Sequence, residues 1–74
     1  MERRKIAQRV CFARLGADDN VLLVGYDNGH YGILRNGRPI VDRCWEPDDV
    51  QNCAKTFLRY VRLEREGITS PVAP

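Results

Sequence analysis

The stretch VLLVGYDNGHYGILRNGRPIVD, Val21 to Asp42, decides the fold: two Asn-Gly pairs punctuate three short runs rich in β-branched, aliphatic and aromatic residues. A type I′ turn holds both central residues at positive φ. Asn followed by Gly tolerates that at least cost, so Asn28-Gly29 and Asn36-Gly37 each read as the two-residue loop of a hairpin. The stretch is then a three-stranded antiparallel meander, and counting outward from the loops sets Tyr26 opposite Tyr31 and Tyr31 opposite Asp42. One face, the aromatic one, carries Tyr26 and Tyr31, then Val24, Ile33 and Ile40, then Leu22, Arg35 and Arg38. The other carries Leu23, Leu34 and Pro39, then Gly25, Gly32 and Val41, then Asp27, His30 and Arg43. A sheet with one solvated side alternates apolar with polar, and this one hardly does, so both faces call for a cover.

Downstream, Asp48-Asp49-Val50-Gln51 reads as a helix start. Asp48 is an N-cap with Gln51 three residues on, and Asp49 adds negative charge at the positive end of the dipole. The helix is expected from about Asp49 to Glu66, stopped by Gly67, with Arg62 and Arg65 near its carbonyl end. Val50, Cys53, Ala54, Phe57, Tyr60 and Val61 recur at three- and four-residue steps and form the stripe that packs on the sheet. The expected core is Tyr26, Tyr31, Val24, Ile33, Ile40, Phe57 and Val61.

Upstream, Glu2 to Leu15 fits two templates. As a helix it places Ile6, Ala7, Val10 and Cys11 on one stripe with Gly16 as its stop. As a strand, Arg9 to Leu15 alternates and enters the meander through a five-residue loop, Gly16 to Asn20. The Val-Cys-Phe run favours extended backbone, so the strand is preferred, preceded by a basic arm, Met1 to Lys5. Residues 68–74 lack periodicity and read as a flexible tail.

The 74 residues make one domain, residues 1–74, of the α+β class: an antiparallel meander of three or four strands with a C-terminal amphipathic helix on one face. Hydrophobic content of 43% and charged content of 30% are those of a globular chain and exclude a disordered one. No apolar run approaches the roughly 20 residues that span a bilayer, so no membrane partner is expected. Cys11, Cys44 and Cys53 are an odd count without paired spacing; they read as small core residues in a reducing, cytoplasmic setting. The charge of +2 is too small to mark a polyanion binder by itself.

No constellation of residues rises to chemistry. His30, the sole histidine, adjoins a turn and reads as a polar bend residue, and Ser70, the sole serine, falls in the tail. The cysteines lack the C-x₂-C element of structural zinc sites, so no metal and no cofactor is expected. The glycines of the meander precede no helix, which argues against a phosphate cradle. Gly25 and Gly32, facing each other, imply the close approach of a backbone or of a large side chain such as Trp45. Basic residues offer more: Lys55, Arg59 and Arg62 lie opposite the apolar stripe, and Arg35 and Arg38 share a face with the two tyrosines. A charged helix face is usually just solvated, but such a set can also meet nucleic-acid phosphates.

In element order, Val21 to Glu66 resembles the small DNA-binding domains at the N-terminus of tyrosine-type integrases and in the plant AP2 group. There a helix covers one face of three strands and the other face enters the major groove. The resemblance stops at element order, because Leu23, Leu34 and Val41 stand where such a face carries Arg and Lys. The leading expectation is therefore a non-catalytic module acting through protein contacts at Leu23, Leu34, Pro39 and Val41. Its partner is another protein or a second copy in a homodimer, and its class that of accessory or inhibitor proteins of bacteria and their mobile elements. Nucleic-acid binding through Arg35, Arg38, Lys55, Arg59 and Arg62 is the alternative.

Overall fold

The computed structural model describes residues 5–67. Its elements are β1 (Ile6–Gly16), β2 (Asp19–Tyr26), β3 (Tyr31–Arg35), β4 (Arg38–Pro39), a 3-10 turn (Pro47–Asp49) and α1 (Val50–Glu66). The strands form one antiparallel sheet in the order β1-β2-β3-β4, and α1 packs against it. The α+β meander with a C-terminal helix is thus the fold. The segment that fitted two templates is a strand, and its Lys5 carbonyl accepts the Asp27 amide at 2.9 Å, so the end of the basic arm is tied to the sheet. Residues 1–4 of that arm and the tail, 68–74, lie outside the described residues. Among the described residues no helix is long and apolar enough to cross a membrane.

The two Asn-Gly pairs make different turns. Asn36 (φ 53) and Gly37 (φ 85) form the expected two-residue loop, which pairs Arg35 with Arg38 and Leu34 with Pro39. At the other pair only Gly29 is left-handed (φ 90). Its amide donates to the Tyr26 carbonyl at 3.0 Å, and the Tyr26 amide donates to the His30 carbonyl at 2.8 Å. This is a type I turn followed by a bulged glycine, a three-residue loop. One added residue moves the register by one, so Leu23 pairs with Ile33, Val24 with Gly32 and Gly25 with Tyr31. Every side chain of β2 therefore changes face relative to β3.

The glycines give the reason. A two-residue loop would set Gly25 against Gly32 and Tyr26 against Tyr31, leaving a hole beside a crowded ring pair. In the observed register each glycine lies beneath a tyrosine instead. A Cβ on Gly25 would stand 3.3 Å from the Tyr31 ring, and one on Gly32 would stand 2.9 Å from the Tyr26 ring. Aromatic rings covering strand glycines recover the buried area that the glycines lack. The close approach implied by the sequence is therefore made by the tyrosines rather than by Trp45.

The core under α1 consists of Ala13, Val21, Leu23, Ile33, Trp45, Cys53, Phe57 and Val61, with Cys11, Leu15, Tyr31, Ile40, Ala54 and Tyr60 packed against it. Ile33, Phe57 and Val61 stand where the sequence put them, and Tyr31 and Ile40 line the margin. Val24, though fully buried, lies outside this cluster, and Tyr26 turns to the other face over Gly32. Three further expectations need correction. The β1-β2 connection is tighter than five residues, since Gly16 already pairs with Asp19. The third meander strand ends at Pro39, with one further ladder bond from the Ile40 amide to the Ile33 carbonyl at 3.0 Å. The chain then swings out through Val41, Asp42 and Arg43 before Trp45 returns to exchange two backbone hydrogen bonds with Tyr31. Finally, Asp48 caps nothing. The 3-10 turn shifts the start, so Asp49 is the N-cap, and its Oδ1 accepts the Asn52 side-chain amide rather than a backbone amide. The stop at Gly67 is as expected: it is left-handed (φ 69) and its amide donates to the Glu64 carbonyl.

Candidate interaction face

The register of β1 on β2 sets Phe12 beside Leu22, Arg9 beside Val24 and Ile6 beside Tyr26. Leu22 continues across the sheet to Leu34, and Leu34 to Pro39. The resulting face, remote from α1, holds a groove of about 370 Å³ lined by Ile6, Arg9, Phe12, Leu22, Leu34 and the turn around Asn36. Phe12 is 61% exposed and Ile6 47%, with Val10 of the same strand at 43%. Three register shifts in β1, between Ile6 and Gln8, Arg9 and Cys11, and Arg14 and Gly16, keep Gln8 and Cys11 on the helix side while Ile6, Arg9 and Phe12 share the open one. Val24, fully buried, and Leu34, 8% exposed, are covered by neighbouring side chains of this face, whereas Ile6 and Phe12 stand out from it, and among the described residues no ion pair engages Arg9.

Of the four residues expected to form an interface, Leu34 pairs with the exposed Pro39 but is itself buried, at 8% exposure. Leu23 is fully buried under α1, because the three-residue turn rotates β2 by one position, and Val41 sits 38% exposed in the excursion after β4. Phe12 and Ile6 escaped the sequence reading. Their signal was the apolar run in an ambiguous segment, whose face could not be assigned before its register and bulges were known.

The basic residues divide likewise. Arg35 is fixed in place: Nε and Nη2 donate to Asp19 Oδ1 and Oδ2 at 2.8 and 2.6 Å, while Nη1 donates to the Tyr60 hydroxyl at 2.9 Å and lies 3.1 Å from Glu64 Oε1. This fork-on-carboxylate hub ties β2 and β3 to α1. The hydrogen bonds to Asp19, then Tyr60, drive the Arg35 pKa up, and the Arg35 hydrogen bond holds Asp19 below its ordinary value against a smaller opposing effect of burial. Arg35 is therefore committed to the fold rather than offered to a ligand. Arg38 is exposed on β4, and Arg62 is within 3.9 Å of Glu66. Lys55 and Arg59 line a separate polar groove of about 420 Å³ together with Arg43, Trp45, Asp49, Asn52 and Thr56. The sequence reading missed Arg43, whose guanidinium lies 5.8 Å from the centre of the Trp45 ring.

Of the other candidates for chemistry, His30 has its ring Nδ1 buried without a hydrogen-bond partner among the described residues. His30 takes its amide to Asn28 Oδ1 at 3.0 Å and its Nε2 lies 3.5 Å from Glu46 Oε1. Cys53 is buried in the core, and burial pushes its thiol up to about 11, with smaller contributions from Cys11, Cys44 and Asp49. That direction is opposite to the one that activates a nucleophile. All three cysteines are free, and among the described residues no group of His, Cys, Asp and Glu is arranged to hold a metal ion.

Comparison with protein-family models, with curated proteins and with solved structures finds no match for the chain.

Proposed function

We propose that this protein is a non-catalytic binding module that works through protein contacts at the open sheet face. The observation that carries this reading is Phe12, 61% exposed beside the groove formed by Ile6, Leu22 and Leu34. Ile6, Val10 and Phe12, all exposed, stand on the one strand β1, and apolar side chains clustered at the surface of a small chain mark an interface more often than isolated ones do. The class of accessory or inhibitor proteins of bacteria and their mobile elements accords with such a module.

The test compares the wild-type chain with Phe12→Asp, immobilised and exposed to an extract of the native host, with light scattering on the free proteins. The expected result is a retained protein, or a self-associated form, that Phe12→Asp loses while keeping its thermal midpoint. A monomer whose retained proteins are the same with and without Phe12→Asp would contradict the proposal.

Nucleic-acid binding is the second reading, supported by the groove that Arg43, Lys55 and Arg59 line without an ion pair among the described residues. Asp49 in that groove, and Asp42, Glu46 and Asp48 in the segment leading to it, weigh against it. Binding of DNA or RNA that weakens steeply with salt and is lost in Lys55→Ala/Arg59→Ala would establish this reading; failure to shift either nucleic acid at low salt would remove it.

A further inference from the structure

The protein-contact reading leaves the occupant of the open face unspecified, and the charges of that face narrow the choice. Lys5, Arg9 and Arg14 are the charged residues from Lys5 through Leu15, and that segment contains no carboxylate. Across the rest of the face, Asn20, Leu22, Val24 and Tyr26 of β2, Gly32 and Leu34 of β3 and Pro39 of β4 add no charge. Arg9 lines the groove between Ile6 and Phe12, and no carboxylate lines it with Arg9.

Three occupants can be compared on this basis. A second copy packed face to face would bring Arg9 and Arg14 against a surface that carries cations and no carboxylate, a like-charge juxtaposition that works against association. A strand added at the outer edge of β1 needs a regular ladder, and β1 is broken by three register shifts within its eleven residues, a device that blunts sheet edges. An occupant that rests on the side chains must therefore satisfy its own backbone groups, which a helix does and a single extended segment does not.

We infer that the open face takes an amphipathic helix of another protein, its apolar stripe seated on Ile6, Phe12 and Leu22 over the groove that the buried Leu34 floors, and its flanking carboxylate on Arg9. This rests on the protein-contact reading and adds to it the chemistry of the partner. Arg9 is exposed in the free chain and becomes desolvated only in the complex, so its pairing acts as a selector of partners.

The experiment uses two synthetic helices about five turns long with identical leucine stripes, one flanked by glutamates and the other by lysines, titrated into the full chain by calorimetry and by amide chemical shifts. The glutamate helix is expected to bind roughly tenfold more tightly than the lysine helix, with shifts centred on Ile6, Phe12, Leu22 and Leu34. Arg9→Glu, at an exposed position where the thermal midpoint is expected to stay the same, is expected to reverse that order. Equal binding of both helices would overturn the choice of an acidic partner while leaving the protein-contact reading intact. A dimer of the free chain, dissolved by Phe12→Asp, would replace the helix by a second copy and likewise spare that reading. Binding of neither helix would overturn the inference outright, whatever the host extract retains.

Discussion

The same dipeptide, Asn-Gly, closes two neighbouring hairpins of this sheet in two different ways. At Asn36-Gly37 both residues are left-handed, and the loop is anchored from outside: the Asn20 amide donates to Asn36 Oδ1 at 2.9 Å, and Asn36 Nδ2 donates to Asp19 Oδ1 at 3.2 Å. At Asn28-Gly29 only the glycine is left-handed, and Asn28 serves its own loop by accepting the His30 amide at 3.0 Å. Local preference allows either form. The choice is made by the strands that each turn joins: flanking glycines gain tyrosine covers if the first hairpin slips by one residue, whereas Leu34, Arg35, Arg38 and Pro39 beside the second loop include no glycine to cover. One residue in a loop then decides that Leu23 enters the core and that Leu22 and Phe12 face outward.

The most severe way to break this comparison is to truncate the two adjacent leucines of β2. Leu23→Ala should cost about 2 to 5 kcal/mol in denaturant unfolding, because Leu23 is fully buried in the cluster beneath α1. Leu22→Ala, half-buried on the open face, should cost less than about 1.5 kcal/mol. The opposite ranking would restore the two-residue turn. Next in size is Gly32→Val, whose branched side chain meets the Tyr26 ring where even a Cβ would come within 2.9 Å. Displacing that ring should cost about 1 to 3 kcal/mol, and a neutral result would remove the tyrosine-over-glycine explanation of the slip.

These effects mark what was legible in the sequence. The elements were readable because their signals are local: Asn36-Gly37 for a hairpin, the Cys53-Phe57-Val61 stripe for a helix, Gly67 for its end. The face assignments were not, because they depend on pairing between strands, where Gly25 and Gly32 matter only once it is known what covers them. The candidate interface inherited that difficulty. Leu34 and Pro39 were legible through the turn that kept its expected form, and Leu23 was misplaced through the turn that did not. Arg35 illustrates a second limit, since no local pattern shows that an arginine on β3 will meet Asp19, Tyr60 and Glu64.

Smaller effects sharpen the contrast between the turns. Asn36→Ala loses an acceptor and forces a Cβ-bearing residue less tolerant of φ 53 into that loop, and should destabilise by about 1 to 2 kcal/mol. Asn28→Ala loses only its bond to His30 and should cost about 0.5 to 1.5 kcal/mol. Equal costs would mean that the two turns do not differ as described. The anchoring of the second turn through Asp19 should also respond to pH. Because the folded-state pKa of Asp19 lies below its ordinary value of 3.8, its contribution is fully present well above that value and is lost as pH falls through the depressed one. Urea midpoints of wild type and Asp19→Asn should therefore differ most at neutral pH and converge in strong acid. A difference that stayed constant down the acid limb would contradict the depressed pKa.

The central claim is that one residue in the first turn rotates β2, closing Leu23 under the helix and opening the Phe12-Leu22-Leu34 face. Nuclear Overhauser contacts from the leucine methyl groups of β2 test it most directly. The account predicts that Leu23 methyls contact the cluster of Ile33, Phe57 and Val61 while Leu22 methyls contact Phe12 and Leu34; Leu22 methyls contacting the helix, with Leu23 turned away from it, would contradict it.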